Sequence, residues 1–187
     1  MLKYALLGFL NYRSLNGYEL KQIMESSTKN FWHADLSQIY KALKSLEAEG
    51  CVVSSLEHQS ERPDRRNYEI TEVGQQALHN WLASPLTTTS RMKEELLLKV
   101  FFSGQLNAET ILTQLRLQRD LHQQQLAHYS GQTVEDVEQN ASSLEAPALD
   151  KILWESTRRA GILYEKMYIT WLEETIASIE SHGAGES

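Results

Sequence analysis

The sequence predicts a mainly α-helical protein whose two halves are built differently. Gly, Pro and Asn-Gly turn signals recur at short intervals in the first half, whereas the second half has long polar and apolar runs with few helix breakers. A polar stretch from Ser84 to Ser90 lies between them and suits both a linker and the cap of the next helix. We therefore expect an N-terminal domain over residues 1–84, a helical domain over 91–180 and a flexible tail over 181–187.

Apolar spacing and capping residues predict three helices near the N-terminus. The first covers residues 4–10, where apolar side chains recur at helical intervals. The second and the third each open with a capping pair, in which Asn or Asp is followed three residues later by Glu or Gln. These pairs are Asn16 with Glu19 and Asp35 with Gln38.

The third helix has the clearest amphipathic pattern. Four apolar side chains, at spacings of three, four and three residues, fall within about 80 degrees of arc, and we expect them to be buried. They are Leu36, Ile39, Leu43 and Leu46, and Gly50 follows as a helix stop. The opposite face is polar, small and basic, and presents Ser37, Gln38, Lys41, Lys44, Ser45 and Ala48.

A β-hairpin and a fourth helix are expected next. The segment from Val52 to Glu57 is rich in β-branched residues, Arg62 to Arg65 has Pro and Asp at central turn positions, and Asn67 to Thr71 alternates polar and apolar residues. Thr71 can then cap a helix that continues to Leu82.

Three helices, a hairpin and a further helix form the element order of a winged helix-turn-helix. In that fold the third helix enters a DNA major groove, and the hairpin, or wing, lies against the adjacent backbone or minor groove. Arginines at the hairpin turn can follow phosphates, Gln38 can pair with adenine, and the lysines of the third helix can reach guanine edges or phosphates. The predicted DNA-binding residues are Ser37, Gln38, Tyr40, Lys41, Lys44, Arg62, Arg65 and Arg66.

The net charge of −7 by itself argues against a nucleic-acid partner, because phosphate binding depends on Lys and Arg. The distribution of charge weakens that objection, since residues 1–85 carry 9 basic and 10 acidic side chains while residues 86–187 carry 9 and 15. A winged helix used as a protein-interaction module without DNA binding is the alternative that fits the acidic balance. Salt-dependent affinity for duplex DNA distinguishes the two hypotheses.

Four stretches of the first half resemble the PadR-type transcriptional regulators. They are GYEL at 17–20, FW at 31–32, IYKALKSLEAEG at 39–50 and RRNYEITEVG at 65–74. The resemblance implies a winged helix that binds double-stranded DNA and represses transcription from a palindromic operator. The chain departs from the family pattern at Leu36-Ser37-Gln38 and at Tyr40-Lys41, so the bases that it reads can differ.

Two stretches of the second half resemble the C-terminal helical domain of the longer PadR-type regulators, which is related to virulence activator alpha. They are KEELLLKVFF at 93–102 and GILYEKMYITWLEE at 161–174. In that group these helices are associated with dimerisation, so the resemblance implies a homodimer.

The residue pattern of the second half also predicts three helices and a dimer. The helices cover Met92–Phe102, Ile111–Tyr129 and Asp150–Ile179, and the last, at about 30 residues or about 45 Å, is longer than a small core covers. An apolar seam with small central residues runs along it at spacings of four and three, as in helices that pack against a partner. The seam residues are Leu149, Leu153, Ser156, Ala160, Leu163 and Met167.

Four large aromatic side chains, Trp154, Tyr164, Tyr168 and Trp171, are expected on or near this seam. They support two interpretations. One is plain interface packing, the commoner use of such residues. The other is a pocket between subunits for a small aromatic effector, of the kind that some PadR-type relatives sense.

No enzyme activity, cofactor or metal is expected. The sequence has no Gly-rich phosphate loop, no His-Glu-x-x-His and no Gly-x-Ser-x-Gly motif. The lone Cys51 suits a small buried residue, and His122 and His128 point about 120 degrees apart on a helix. A single cysteine, the lack of a long apolar run and the lack of an export signal favour the cytoplasm and no membrane contact.

Overall fold

The computed structural model describes residues 1–29, 31–57, 65–89, 93–131, 144 and 146–185. Its contacts divide the chain into two compact units. The N-terminal unit comprises Met1–Thr87 with Asp136–Lys151, and the helical unit comprises Thr88–Glu135 with Ile152–Ser187.

The described residues up to Thr87 form four helices and three strands. The helices are α1 (Leu2–Leu10), α2 (Gly17–Ser27), α3 (Leu36–Ala48) and α4 (Glu72–Ala83), and the strands are β1 (Leu15–Asn16), β2 (Val52–Glu57) and β3 (Arg65–Ile70). This is the order of elements that the sequence predicts, with β1 added. The strands form an antiparallel sheet in the order β1-β3-β2, so the predicted hairpin acquires a third, very short strand. Two residues are too few to show the alternation that marks a strand.

Both predicted capping pairs are present. The Asn16 side-chain oxygen accepts the backbone N–H groups of Tyr18 and Glu19 at 3.0 Å, and the Glu19 carboxylate accepts the Asn16 N–H at 2.9 Å. At the start of α3, the Asp35 N–H donates to Oε1 of Gln38 at 3.0 Å. These bonds satisfy backbone donors that a helix start otherwise leaves unpaired, and they fix where α2 and α3 begin.

The core of the N-terminal unit is built by three helices and the start of β2. Ile39, Leu43 and Leu46 of α3 are fully buried, as the sequence predicts, whereas Leu36 is 37% exposed because it opens the helix at the end of the apolar stripe. The other fully buried side chains of α1, α2 and β2 are Leu6, Leu7, Leu10, Leu20, Met24 and Val52. The core therefore holds α3 by one face and leaves its opposite face at the surface.

The helical unit contains the three predicted helices. They are α5 (Glu95–Phe102), α6 (Ala108–Gly131) and α7 (Ala148–Gly185). A short 3-10 turn (Ser103–Gln105) follows α5, and the first residues of α7 cluster with the N-terminal unit. With 38 residues, α7 is about 57 Å long and includes residues 181–185, which the sequence assigned to a tail. The core of this unit consists of Leu96, Leu112, Leu115, Tyr168, Leu172 and Ile176.

A close backbone contact joins the start of α4 to the end of α3. The Thr71 hydroxyl donates to the Gly50 carbonyl at 2.7 Å and accepts the Gly74 N–H at 3.1 Å, while Gly50 itself has a φ of 70°. A Cβ atom at Gly74 would lie 2.1 Å from the carbonyl oxygen of Cys51, a distance that no side chain tolerates. Position 74 therefore requires glycine.

Replacing Gly74 with alanine is expected to lower the free energy of unfolding by about 2 kcal/mol or more, because the backbone of Cys51 must move. Gly8→Ala is the matched control, since nothing lies within 4 Å of a Cβ there, and it should stabilise α1 by about 0.5 to 1 kcal/mol. Urea unfolding followed by circular dichroism measures both. Equal stabilities of the two variants would contradict the close contact.

Candidate nucleic-acid interface

The solvent-facing side of α3 presents the side chains that the sequence predicts there. Ser37, Gln38, Lys41 and Lys44 are exposed, and Tyr40 is 45% exposed. Because the buried stripe fixes the rotation of the helix about its axis, these groups share one accessible surface.

Tyr40 also packs against the preceding helix. A Cβ atom at Gly17, the first residue of α2, would lie 2.6 Å from the Tyr40 ring, so the ring occupies the space that a side chain would take. Tyr40 therefore helps to set the position of α3 against α2, in addition to any contact that its exposed edge makes.

Gln38 is bent back towards the helix start by its capping bond. Its side-chain oxygen accepts the Asp35 N–H, which leaves the amide nitrogen as the group that can donate to a ligand. Reading an adenine with both amide atoms would require the oxygen to accept a second hydrogen bond or the capping bond to open.

The wing is formed by β2 and β3, which pair in register from Val52 with Ile70 to Glu57 with Arg65. Arg65 is exposed at the last described pair of the hairpin. The predicted turn, with Arg62, lies outside the described residues. Within the part of the chain that the structure describes, Lys41, Lys44 and Arg65 form no ion pair, although Arg65 lies opposite Glu57 in the ladder.

Arg66 differs from Arg65 because its side chain, although 52% exposed, is hydrogen-bonded to other residues of the N-terminal unit. Its Nε donates to the Ser54 hydroxyl at 2.8 Å, and its Nη2 donates to the two carboxylate oxygens of Glu47 at 3.0 and 3.1 Å. The Ser54 hydroxyl in turn donates to Glu47 at 2.5 Å. The hydrogen bond from Ser54 and the nearby Arg66 charge hold the pKa of the Glu47 carboxyl below its usual range.

Sequence reasoning missed Glu47 and Ser54. Glu47 lies on α3 at a partly buried position, and 19 residues separate it from Arg66. Only the hairpin register could have indicated the contact, because Ser54 lies opposite Tyr68 in the ladder, two residues beyond Arg66.

The predicted dimer seam lies on the exposed side of α7. Leu149, Leu153, Leu163 and Met167 are 63%, 52%, 61% and 53% exposed, and Ala160 is exposed as well. The side of α7 that enters the core of the helical unit carries Tyr168, Leu172 and Ile176 instead. The seam is therefore an apolar surface that the described residues leave exposed.

The four predicted effector-pocket residues have different environments. Tyr168 is 4% exposed, its ring stacks on His122 with centroids 4.1 Å apart, and it contacts Trp171 edge-on at 5.3 Å. Burial and the nearby Glu94 carboxylate raise the pKa of Tyr168 to about 12. Tyr164 is 42% exposed and Trp154 is partly buried.

A cavity of about 660 Å³ lies elsewhere in the helical unit, between α5 and α6. Leu98, Phe102, Leu106 and Leu117 contribute to its wall, and none of the four aromatic residues does. The structure therefore packs Tyr168 into the core and does not place it at this cavity.

A largely buried hydrogen-bonded pair accompanies Tyr168. Nδ1 of His122 lies 2.5 Å from a carboxylate oxygen of Glu165, whose side chain is 7% exposed. Sequence reasoning gave His122 no partner, because 43 residues separate it from Glu165. The described residues contain no group of three or more His, Cys, Asp or Glu side chains that could hold a metal ion.

Two family models match the chain, one on each half. The model of the Transcriptional regulator PadR-like family matches residues 6–80, and the model described as Virulence activator alpha C-term matches residues 92–180.

No helix in the described ranges has the length and apolar character needed to cross a membrane.

Curated relatives match almost the full length of the chain. The negative transcriptional regulator PadR of Bacillus subtilis is 29% identical over 184 residues, which cover 96% of this chain and 98% of that protein. A probable transcriptional regulator of Mycobacterium tuberculosis is 28% identical and covers 96% of this chain and 97% of its own.

Solved structures of relatives share the fold. B. subtilis PadR in complex with operator DNA matches with a TM-score of 0.81 at 29% identity, covering 95% of this chain and 98% of that chain. PadR in complex with p-coumaric acid matches with a TM-score of 0.66 at 28% identity over 96% and 98%. The virulence activator AphA of Vibrio cholerae matches with a TM-score of 0.73 at 25% identity over 97% and 99%.

A winged helix-turn-helix followed by a helical domain, with these matches over both parts, defines a transcriptional regulator. The chain combines a PadR-like domain with the C-terminal domain related to virulence activator alpha, and it is homologous to B. subtilis PadR. The predicted family and fold class are therefore confirmed.

Proposed function

We propose that the protein is a sequence-specific repressor that binds double-stranded DNA through α3 and the wing. The observation that supports this most directly is that Lys41 and Lys44 on α3 and Arg65 on the wing are exposed and form no ion pair with other described residues. The B. subtilis relative is a negative regulator, and its structure in complex with operator DNA shares this fold. We assign the protein no catalytic reaction and place it in the cytoplasm, where its DNA would be.

The side chains of α3 take different parts in this proposal. Lys41 and Lys44 reach guanine edges or phosphates, and the amide nitrogen of Gln38 donates to a base acceptor. Ser37 permits close approach of the helix to the groove, and the exposed edge of Tyr40 borders the same surface. Base contacts of this kind determine sequence preference, whereas contacts to phosphates do not.

The wing supplies contacts to the DNA backbone. Arg65, together with Arg62 of the turn, neutralises phosphates beside the groove that α3 enters. Arg66 belongs to the same predicted set, but its intramolecular partners set it apart from the other two.

A homodimer formed through the seam of α7 would double this binding surface. More than half of the surface of Leu149, Leu153, Leu163 and Met167 is exposed, and apolar area of this kind is buried in stable dimers. Two α3 helices related by a twofold axis would read a palindrome with half-sites about 34 Å apart. We retain residues 1–84 as the DNA-binding domain and 91–180 as the dimerisation domain, whereas residues 181–185 of the predicted tail belong to α7.

A phenolic effector is the second part of the proposal. It rests on the relative, whose structure has been determined in complex with p-coumaric acid. Trp154, Tyr164, Tyr168 and Trp171 remain the candidate residues, and Tyr164 offers the most exposed phenol among the tyrosines of this set. Interface packing is the competing role for these rings.

Arg65→Ala is expected to weaken binding to every duplex, because it removes a phosphate contact. The slope of log affinity against log salt should fall in magnitude by about 0.9. Lys166→Ala is the matched control, since it removes one exposed charge from α7 and should leave the slope unchanged. Fluorescence anisotropy of a labelled duplex across a salt series measures both. If the wild-type protein shows no salt-dependent DNA binding, the protein-interaction module is the correct interpretation.

Leu163→Glu is expected to convert a dimer into a monomer, because a carboxylate in the seam would be desolvated. Leu98→Glu is the control, since Leu98 is also 61% exposed but lies at the α5–α6 cavity. Sedimentation velocity gives the mass of each variant. A dimeric Leu163→Glu protein together with a monomeric Leu98→Glu protein would assign the interface to the cavity instead.

Adding p-coumaric acid to the protein–DNA complex is expected to release the duplex, and hexanoate at equal concentration should not. Tyr164→Ala should keep DNA binding but lose at least tenfold in sensitivity to the phenolic acid, a loss of about 1.4 kcal/mol in ligand binding. Anisotropy of the labelled duplex follows the release. No release from the wild-type protein would leave the aromatic residues with the packing role alone.

A further inference from the structure

Arg66 is held by a bonding network that joins three elements. Glu47 belongs to α3, Ser54 to β2 and Arg66 to β3, and every pair among the three is hydrogen-bonded. The guanidinium also lies over the ring of Tyr68, 5.7 Å from its centroid. We call Glu47, Ser54 and Arg66 the wing brace.

The wing brace joins residues far apart in the chain, as Lys3 with Glu49 and Arg116 with Glu180 also do. Lys21 with Glu25 and Lys99 with Glu95, by contrast, are pairs within one helix, four residues apart. The Arg66 and Glu47 side chains are 52% and 32% exposed, so the number of bonds, and not burial, distinguishes the wing brace from single exposed pairs. In the wing brace, one guanidinium nitrogen reaches both carboxylate oxygens while another binds the bridging hydroxyl. Charge-assisted bonds in a network of this kind are stronger and more directional than single pairs.

The wing brace connects the two elements that are proposed to bind DNA, α3 and the wing. Glu47 is in the last turn of α3, on the helix whose exposed side carries Lys41 and Lys44. Arg66 follows Arg65, the exposed cation of the wing, directly in the chain. The wing brace therefore links the hairpin to α3 through side-chain hydrogen bonds.

We propose that Arg66 is a positioning residue for DNA binding, which acts through Glu47 and does not contact a phosphate. This inference rests on the proposed function, because it assumes that α3 and the wing bind the same duplex. An unbraced wing would have to be ordered during binding, and that ordering cost reduces affinity. The number of neutralised phosphates would stay the same, so the salt slope would not change.

Glu47 provides a test in which the two roles predict opposite signs. If Arg66 contacts phosphate, removing the Glu47 carboxylate leaves more positive charge at the interface, and Glu47→Ala should strengthen binding. If Arg66 acts through Glu47, Glu47→Ala should weaken binding despite the gain in net positive charge.

The experiment measures duplex affinity at several salt concentrations for Glu47→Ala, Arg66→Ala, the double variant and Arg66→Lys. We expect each single alanine variant to bind about tenfold more weakly, the double variant to bind no more weakly than either one, and all slopes to match the wild type. Arg66→Lys keeps the charge but not the planar fork, so it should behave like Arg66→Ala. Arg65→Lys is the matched control and should remain within about twofold of the wild type, since a phosphate contact needs mainly charge.

Three results would overturn the proposal. They are tighter binding by Glu47→Ala, wild-type affinity of Arg66→Lys, and a slope reduced by about 0.9 in Arg66→Ala. Circular dichroism and titration of the active fraction confirm that each variant is folded. If a variant of Glu47 or Arg66 does not fold, Ser54→Ala replaces it in the test. This change removes only a hydroxyl, and it should also weaken binding. Failure of the wild-type protein to bind DNA would refute the proposed function itself, whereas the three results above require a wild type that binds.

Discussion

The burial of one apolar stripe on α3 is the constraint on which the rest of the N-terminal unit depends. Ile39, Leu43 and Leu46 have no exposed surface, so α3 cannot rotate about its axis without losing about 1.5 to 3 kcal/mol for each side chain brought into water. That fixed rotation keeps the polar side of the helix at the surface. The capping bonds at Asn16 and Asp35 fix where α2 and α3 begin. The start of α3 is thus set by a capping bond, and its rotation is set by burial of the apolar stripe.

Short-range signals explain why much of this unit could be predicted from the sequence. Capping pairs, a glycine stop at Gly50 and β-branched strands act within a few residues of one another, and each is confirmed in the structure. Contacts between residues far apart in the chain leave no such pattern. The pairing of β1 with β3, the bonds of Glu47 to Arg66 and the contact of Tyr40 with Gly17 belong to this second class.

In the helical unit, too, the residue spacing predicted some features of α7 and not others. The heptad-like spacing along α7 identified side chains that share one face, and all of those predicted to form the seam are exposed. It did not reveal that a different side of α7, with Tyr168 and Leu172, enters the core. An apolar residue at helical spacing can face a partner or its own domain, and the sequence pattern is the same in both cases.

The pair of His122 and Glu165 has a consequence for how α6 and α7 fit together. Leucine and isoleucine side chains are non-directional, so a helix can slide along its neighbour by one turn, about 5.4 Å, and bury nearly as much apolar surface as before. Such a slide would separate the imidazole from a carboxyl group that is 7% exposed, leaving a buried polar group without its hydrogen-bond partner. The polar pair thus selects one axial alignment among several that the surrounding aliphatic residues would accept.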